Sequence, residues 1–296
     1  MAALIQGMLL AVLGGDRREA ELVRQLASQG ARVRAVGLPL DEAPGVERWS
    51  DAVAAVQGVR AVVAPMSGAD AQGWLPALVP EEKIRLDHKL LAAIGPRAPL
   101  FIGMLPPTHK PLAKAYRVRV VELANVDEIA IANSIPTAEG AVQLAMEKLP
   151  ITIHGARALV LGFGRCGMTL ARLLHAMGAR VGVVARRAAE RARAAEMGLT
   201  PWTWSQLTDA VARQDVIFNT VPAVVLTDAV LAATPKDVLI IDIASPPGGT
   251  NFEAARRLGR RAIWAQGLPG KVAPVTAGRI LAEYLPGLIE AELQRG

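Results

Sequence analysis

The sequence predicts an α/β protein of two domains, each a parallel sheet wrapped by helices. Three observations predict it. The chain has 296 residues, more than one ordinary core accommodates. Short apolar runs alternate with segments of helical period along its length. Helix-start and helix-break residues gather between residues 133 and 155, where a seam between domains is expected. A hydrophobic share of 52% against 20% charged excludes a disordered chain. Few aromatics among many Ala, Val, Leu and Gly suit helices packed closely on a parallel sheet.

The first strand is expected at Leu9–Leu13, followed by turn chemistry at Gly14-Gly15-Asp16. Arg18–Ser28 carries Ala20, Leu22, Val23, Leu26 and Ala27 at helical spacing, and Gly30 stops it. Strands follow at Arg32–Val36, at Val59–Ala64 before Pro65, at Leu100–Gly103 and at Val118–Leu123. Asn133-Ser134-Ile135-Pro136-Thr137 reads as a helix start, with Pro early and Glu139 in the first turn. A linking helix is therefore expected over 136–148, ended by Pro150 and Gly155.

The second half has the cleaner pattern. Strands are expected at Arg157–Leu161, Arg180–Val184, Asp215–Asn219, Val238–Asp242 and Ala262–Trp264. Helices are expected at Met168–Met177, Ala188–Met197, Ser205–Ala212, Asp228–Ala233 and Phe252–Leu258. A last helix over 275–293 buries its apolar face on the sheet or back on the first domain, with a kink or break at Pro286. The domains are placed at 1–133 and 134–296. The first is a flavodoxin-like or Rossmann-like α/β unit. The second is a doubly wound parallel sheet.

Net charge is +6, carried mostly by Arg. The basic residues fall in scattered pairs: Arg17-Arg18, Arg186-Arg187, Arg256-Arg257 and Arg260-Arg261. Without a long run or interleaved aromatics, they read as a solvated surface, and no nucleic-acid partner is expected. Attraction of a small anionic substrate fits equally well. Cys166 is the only cysteine, so a disulfide within the chain is excluded. His88, His109, His154 and His175 lack metal-ligand spacing, so no metal is expected. Met1–Leu13 is apolar without a basic leader and runs into a turn, which reads as a strand rather than a signal peptide. No charge-free apolar run reaches the ~18 residues of a spanning helix. A cytoplasmic protein with no membrane partner is expected.

The strongest motif is Gly162-Phe163-Gly164-Arg165-Cys166-Gly167. It follows an apolar strand and opens a helix, the context in which GxGxxG binds a dinucleotide pyrophosphate. An NAD site usually places an acid at the end of the next strand, for the ribose 2′-hydroxyl. Here that end reads Val183-Val184-Ala185-Arg186-Arg187. Guanidinium groups bind a 2′-phosphate bidentately, so NADP is favoured over NAD. Asn219-Thr220-Val221-Pro222 ends the strand across the switch point and is expected beside the cofactor, as are Asp242 and Ala244. Asp242 through Thr250 and Gly267-Leu268-Pro269-Gly270-Lys271 read as rigid strand exits. Cys166, inside the turn, reads as a packing residue. Glu139 as a base and Lys271 as a carboxylate partner are candidates beside their plainer readings as a helix-dipole acid and a solvated lysine.

Several segments together resemble one family, the A subunits of dipicolinate synthase from spore-forming bacteria. They include Gly14-Gly15-Asp16 with Arg18, Asn133 through Thr137 with Glu139-Gly140, and Thr152-Ile153-His154-Gly155. Further matches are Gly162 through Thr169, Ala185-Arg186, Glu196 through Leu199, and Asn219-Thr220 with Pro222. Asp242, Ala244-Ser245, Pro247 through Thr250, and Gly267 through Gly270 with Val272-Ala273-Pro274 complete the set. The resemblance is dense from residue 133 onward and thin between 40 and 125.

The resemblance implies NADP-dependent oxidation of a cyclic dihydrodipicolinate-type intermediate of the lysine pathway to dipicolinate. It implies a small cyclic dicarboxylate as substrate and, as partner, a flavoprotein-like B subunit. It also implies an oligomeric assembly and a place in the mother-cell cytoplasm. The substrate needs cations for two carboxylates and a proton acceptor. Arg17, Arg18 and Lys271 are candidate cations, and Ser67, Ser134 and Thr137 are candidate hydrogen-bond donors. The fold it implies is that of 2-hydroxyacid dehydrogenases, yet Ala265 through Pro274 lacks the histidine those enzymes use. That favours an imine-like ring over a simple hydroxyacid. Two alternatives stay open: another two-domain dehydrogenase of the shikimate or alanine dehydrogenase kind, and a non-catalytic NADP-binding regulatory subunit.

Overall fold

The computed structural model describes residues 4–41 and 43–295. The first three residues of the Met1–Leu13 stretch, Glu42 and Gly296 lie outside the described residues. The chain divides into two compact units, Met1–Ala132 with Pro269–Gly296, and Asn133–Leu268.

The first unit runs β1 (Leu9–Leu13), α1 (Arg17–Ser28), β2 (Arg32–Val36), β3 (Val46–Trp49), α2 (Ala52–Ala55) and β4 (Ala61–Val63). It continues with β5 (Trp74–Leu75), β6 (Ile84–Arg85), α3 (His88–Ile94), β7 (Leu100–Ile102), α4 (Lys110–Ala115) and β8 (Val120–Glu122). Six strands form one parallel sheet in the order β3-β2-β1-β4-β7-β8, and β5 pairs with β6 alone. Along β1, Leu10 and Val12 enter one core while Ala11 and Leu13 enter the other. Burial on both faces explains why this strand is apolar without alternation.

A long helix, α5 (Asp127–Lys148), follows. It corrects the expected linking helix over 136–148: the helix starts at Asp127, Pro136 lies inside it, and Glu139 is not in its first turn. Asp127 and Glu128 supply the acidic first turn instead, favourable at a helix N-terminus. Pro136 mimics a start because local preference places Pro in a first turn, but packing carries the helix through it.

The second unit runs β9 (Arg157–Leu161), α6 (Arg165–Ala176), β10 (Arg180–Val184), α7 (Ala188–Glu196), β11 (Thr200–Trp202), α8 (Leu207–Val211) and β12 (Val216–Asn219). Then come α9 (Asp228–Ala232), β13 (Leu239–Asp242), α10 (Phe252–Arg257) and β14 (Arg261–Trp264). Its parallel sheet has the order β11-β10-β9-β12-β13-β14. Ala158 and Val160 of β9 face one core, Leu159 and Leu161 the other. Both units are therefore doubly wound α/β folds with the same strand order, and each reverses direction beside its first strand.

Two helices close the chain: the short α11 (Leu268–Val272) and the long α12 (Pro274–Gln294). The expected Gly267–Lys271 strand exit is thus corrected to a helix, which tolerates Pro269 because a first-turn proline forfeits no intrahelical bond. In the first unit, α12 lies so close to α1 that a Cβ on Gly278 would stand 2.7 Å from the Arg18 carbonyl oxygen. The helix continues unbroken past Pro286. Pro286 cannot bond the Ala282 carbonyl, which instead accepts from the Gln29 side chain at 3.2 Å.

Candidate functional site

In the second unit, three glycines shape the turn between β9 and α6. Gly162 has φ +91°, and a Cβ there would stand 2.5 Å from the Thr220 hydroxyl. At Gly167 a Cβ would stand 2.2 Å from the Gly162 carbonyl oxygen, so only glycine lets the helix sit on the strand exit. Gly164 differs from both. It is exposed, caps α6 with no side-chain hydrogen bond, and a Cβ there would meet nothing within 4 Å. The first amides of α6 therefore lack a side-chain cap and adjoin open space, which fits a pyrophosphate. Phe163 is buried beneath the turn. Burial pushes the Cys166 thiol up, only partly offset by the Arg165 charge, so it stays a thiol.

At the exit of β10, Ala185 is buried while Arg186 and Arg187 are exposed. Arg187 pairs with Glu190 at 2.7 Å. Arg191 donates to the Ala185 and Arg186 carbonyls at 3.1 and 2.7 Å, fastening the exit. The Arg186 side chain has no such partner among the described residues, so its exposed guanidinium is uncommitted. Sequence reasoning missed Arg191, whose role depends on bonds across a turn of α7.

Asn219 and Asp242 are fully buried at the ends of β12 and β13. The Asp242 carboxylate accepts from the Asn219 amide (2.9 Å), Ala244 N–H (3.0 Å), Gly249 N–H (2.8 Å) and the Thr250 hydroxyl (2.8 Å). These bonds pin the loop after β13. The Thr220 hydroxyl donates to the Leu161 carbonyl at 2.8 Å, and Asn219 holds both polar groups of the Val221 backbone. Pro222 is exposed. Asp242 and Asn219 thus shape the sheet edge; Val221 and Pro222 form its surface, while Ala244, expected beside the cofactor, is buried beneath it.

On α5, the buried Ser134 hydroxyl meets the Thr169 hydroxyl of α6 at 2.7 Å. The Thr137 hydroxyl donates to the Asn133 carbonyl at 2.7 Å, and Glu139 is exposed beside Val142, Met146, Leu173 and Met177.

The first unit closes the equivalent turn. Gly15 N–H donates to the Pro76 carbonyl at 2.6 Å, and Asp16 and Glu19 form a capping box on α1. A Cβ on Gly270 would stand 2.1 Å from Asp16, so α11 seats on the same turn. Arg18 is buried, bonding Asp16 at 2.9 Å and lying 3.7 Å from Glu19. Glu19 also accepts from Asp16 N–H and Met66 N–H at 2.8 and 2.9 Å. Burial pushes the Glu19 carboxyl up to about 7, against the pull of Arg18. Burial would raise Asp16 too, but its bonds and charge contact with Arg18 hold it below the usual range. With carboxylates filling its helix cap, this turn offers no room for phosphate. Arg17, Ser67 and Lys271 are exposed in the same unit. Glu19 escaped sequence reasoning, although the Asp-x-x-Glu spacing of a capping box was there to read.

Among the described residues, no helix is long and apolar enough to cross a membrane, and no group of three or more His, Cys, Asp or Glu gathers as metal ligands. Two sheets of one strand order, with only the second opening its glycine turn to a ligand, define a two-unit protein carrying an oxidoreductase-like dinucleotide-binding fold. Residues 157–246 match the family described as NADP oxidoreductase coenzyme F420-dependent. Residues 9–124 match the N-terminal domain of the dipicolinate synthase A subunit. The chain is 38% identical to the A subunit of dipicolinate synthase from Bacillus subtilis strain 168, over 98% of both chains. It belongs to the family of dipicolinate synthase A subunits. The crystal structure of the Bacillus halodurans member superposes with a TM-score of 0.90 at 38% identity, covering 96% of this chain and 98% of that one. A transhydrogenase from Sinorhizobium meliloti shares the fold alone, with a TM-score of 0.66 at 14% identity over 94% of this chain and 92% of that one.

Proposed function

We propose that the chain binds NADP in its second unit and oxidises a cyclic dihydrodipicolinate-type dicarboxylate to dipicolinate. The observation that carries this reading is the uncapped turn at Gly164, in a chain matched over 98% of its length by the A subunit of dipicolinate synthase from Bacillus subtilis. The bound nicotinamide supplies the hydride acceptor. The amides of Gly164 through Gly167 hold the pyrophosphate, and Arg186 holds the 2′-phosphate. The ring loses a hydride and a proton and becomes an aromatic pyridine, which drives the step forward. Arg17 and Lys271 are the exposed cations for its carboxylates, and Ser67 offers a hydroxyl. Arg18, engaged by Asp16 and Glu19, braces the turn that carries Arg17. Ser134 stands level with the start of α6, its hydroxyl on Thr169, whereas Thr137 and Glu139 lie further along α5, where Glu139 borders the groove of Leu173 and Met177. A B subunit completes the assembly, in the cytoplasm of a spore-forming cell.

The test supplies the lysine-pathway intermediate and NADP to this chain, with and without the B subunit, and follows dipicolinate by absorbance. Dipicolinate that requires this chain supports the reading. No product from the pair at saturating NADP overturns it.

A further inference from the structure

We propose that Asn133 recognises the carboxamide of the nicotinamide ring. The inference rests on the dinucleotide reading of the second unit and extends it to the reactive end of the cofactor.

The side-chain oxygen of Asn133 is buried and has no hydrogen-bond partner. An orphaned buried acceptor is uncommon, because it has given up water and gained no donor in return. The neighbouring groups are satisfied. The Asn133 carbonyl accepts from Thr137, and Ser134 meets Thr169. The open acceptor is therefore specific to one amide on this helix.

Its place in the fold says what donor it awaits. Ser134 touches Thr169 near the start of α6, while Val142 and Met146 line a groove with Leu173 and Met177 toward its end. Helices α5 and α6 thus run side by side in one direction. Asn133 stands level with the first turn of α6, at the edge of the sheet where ligands bind in this fold. The last residue of α5 is tied to the first of β14, where the Lys148 carbonyl accepts from Arg261 at 3.1 Å. Arg186 lies on the opposite side of β9, at the end of β10. A dinucleotide with its 2′-phosphate at Arg186 and its pyrophosphate at Gly164 directs its other half toward the β12–β13 side. The distinguishing donor of that half is the amide N–H2 of nicotinamide, matched to a carboxamide oxygen. Here the N–H2 donates and Asn133 Oδ1 accepts.

The test is calorimetric titration of the whole chain with three probes: NADP, its 3-acetylpyridine analogue, which lacks the N–H2 donor, and 2′,5′-ADP, which lacks the nicotinamide half. The variants are Asn133→Leu and Asn133→Asp, the second retaining an acceptor oxygen. The expected result is that Asn133→Leu weakens NADP about tenfold. The same variant leaves 2′,5′-ADP unchanged and removes the preference for NADP over the acetylpyridine analogue. Asn133→Asp recovers part of that preference. Equal weakening of all three probes assigns Asn133 to structure and overturns the inference, as does unchanged NADP affinity. Wild-type protein that binds none of the probes overturns the dinucleotide reading itself, and this inference with it.

Discussion

Asn219 and Asp242 stand directly opposite each other on adjacent parallel strands, and the Asn219 amide donates to the Asp242 carboxylate at 2.9 Å. The same carboxylate takes three more donors from the loop beyond it. Asp242→Ala strands these donors in the interior and is expected to cost roughly 3 kcal/mol or more. The loop at 244–250 loosens at the same time. Thermal unfolding should show a lower midpoint, and dinucleotide titration a weaker site.

The glycines of the β9–α6 turn separate stability from binding. A Cβ at Gly164 meets no protein atom within 4 Å and enters the open space proposed for the pyrophosphate. Gly164→Val should leave the thermal midpoint nearly unchanged and weaken NADPH by at least about tenfold. Gly167→Ala forces a Cβ to 2.2 Å from the Gly162 carbonyl and should lower the midpoint itself. Calorimetry of the two variants side by side checks the contrast.

Arg186 and Arg187 are adjacent but differ in their commitments. Arg187 is held by Glu190, and Arg186 is not. Arg186→Ala should weaken NADPH about tenfold or more and leave NADH unchanged, since only the 2′-phosphate is lost as a partner. Arg187→Ala should have a smaller effect on either nucleotide. Fluorescence titrations with both nucleotides decide it.

Glu19 titrates near neutrality in the fold because burial disfavours its charge, whereas an unfolded glutamate titrates near 4.5. The folded state therefore binds the proton more tightly. The stability it contributes is complete below the unfolded value and is lost as pH rises through about 7. Melting curves between pH 5 and pH 8 should show wild type losing stability relative to Glu19→Gln as pH rises. A constant gap between the two would contradict it.

Legibility in the sequence followed the range of the interactions. The β9 strand, its glycine turn and the opening of α6 are built from contiguous residues, and their pattern stands in the chain as Leu161 through Gly167. The edge strand β3 was missed because Val46-Glu47-Arg48-Trp49 mixes charge with apolar residues and has no buried run. The edge strand β11 was missed because Pro201 breaks its pattern, as only an edge allows. The start of α5 was misplaced because Pro136 carries a local signal that packing overrides.

From residue order alone came two α/β halves, the glycine turn and a basic end to β10 in place of an acid, since each rests on neighbours in the chain. Which arginine is unpaired, which glycine faces open space, and why the Gly14-Gly15 turn is shut were settled by folding. Each depends on a partner far away along the chain or around a helix: Glu190 for Arg187, Thr220 for Gly162, Pro76 and Gly270 for the closed turn. Side-chain identity records what a residue can do, and only its packed neighbours record whether that capacity is already in use.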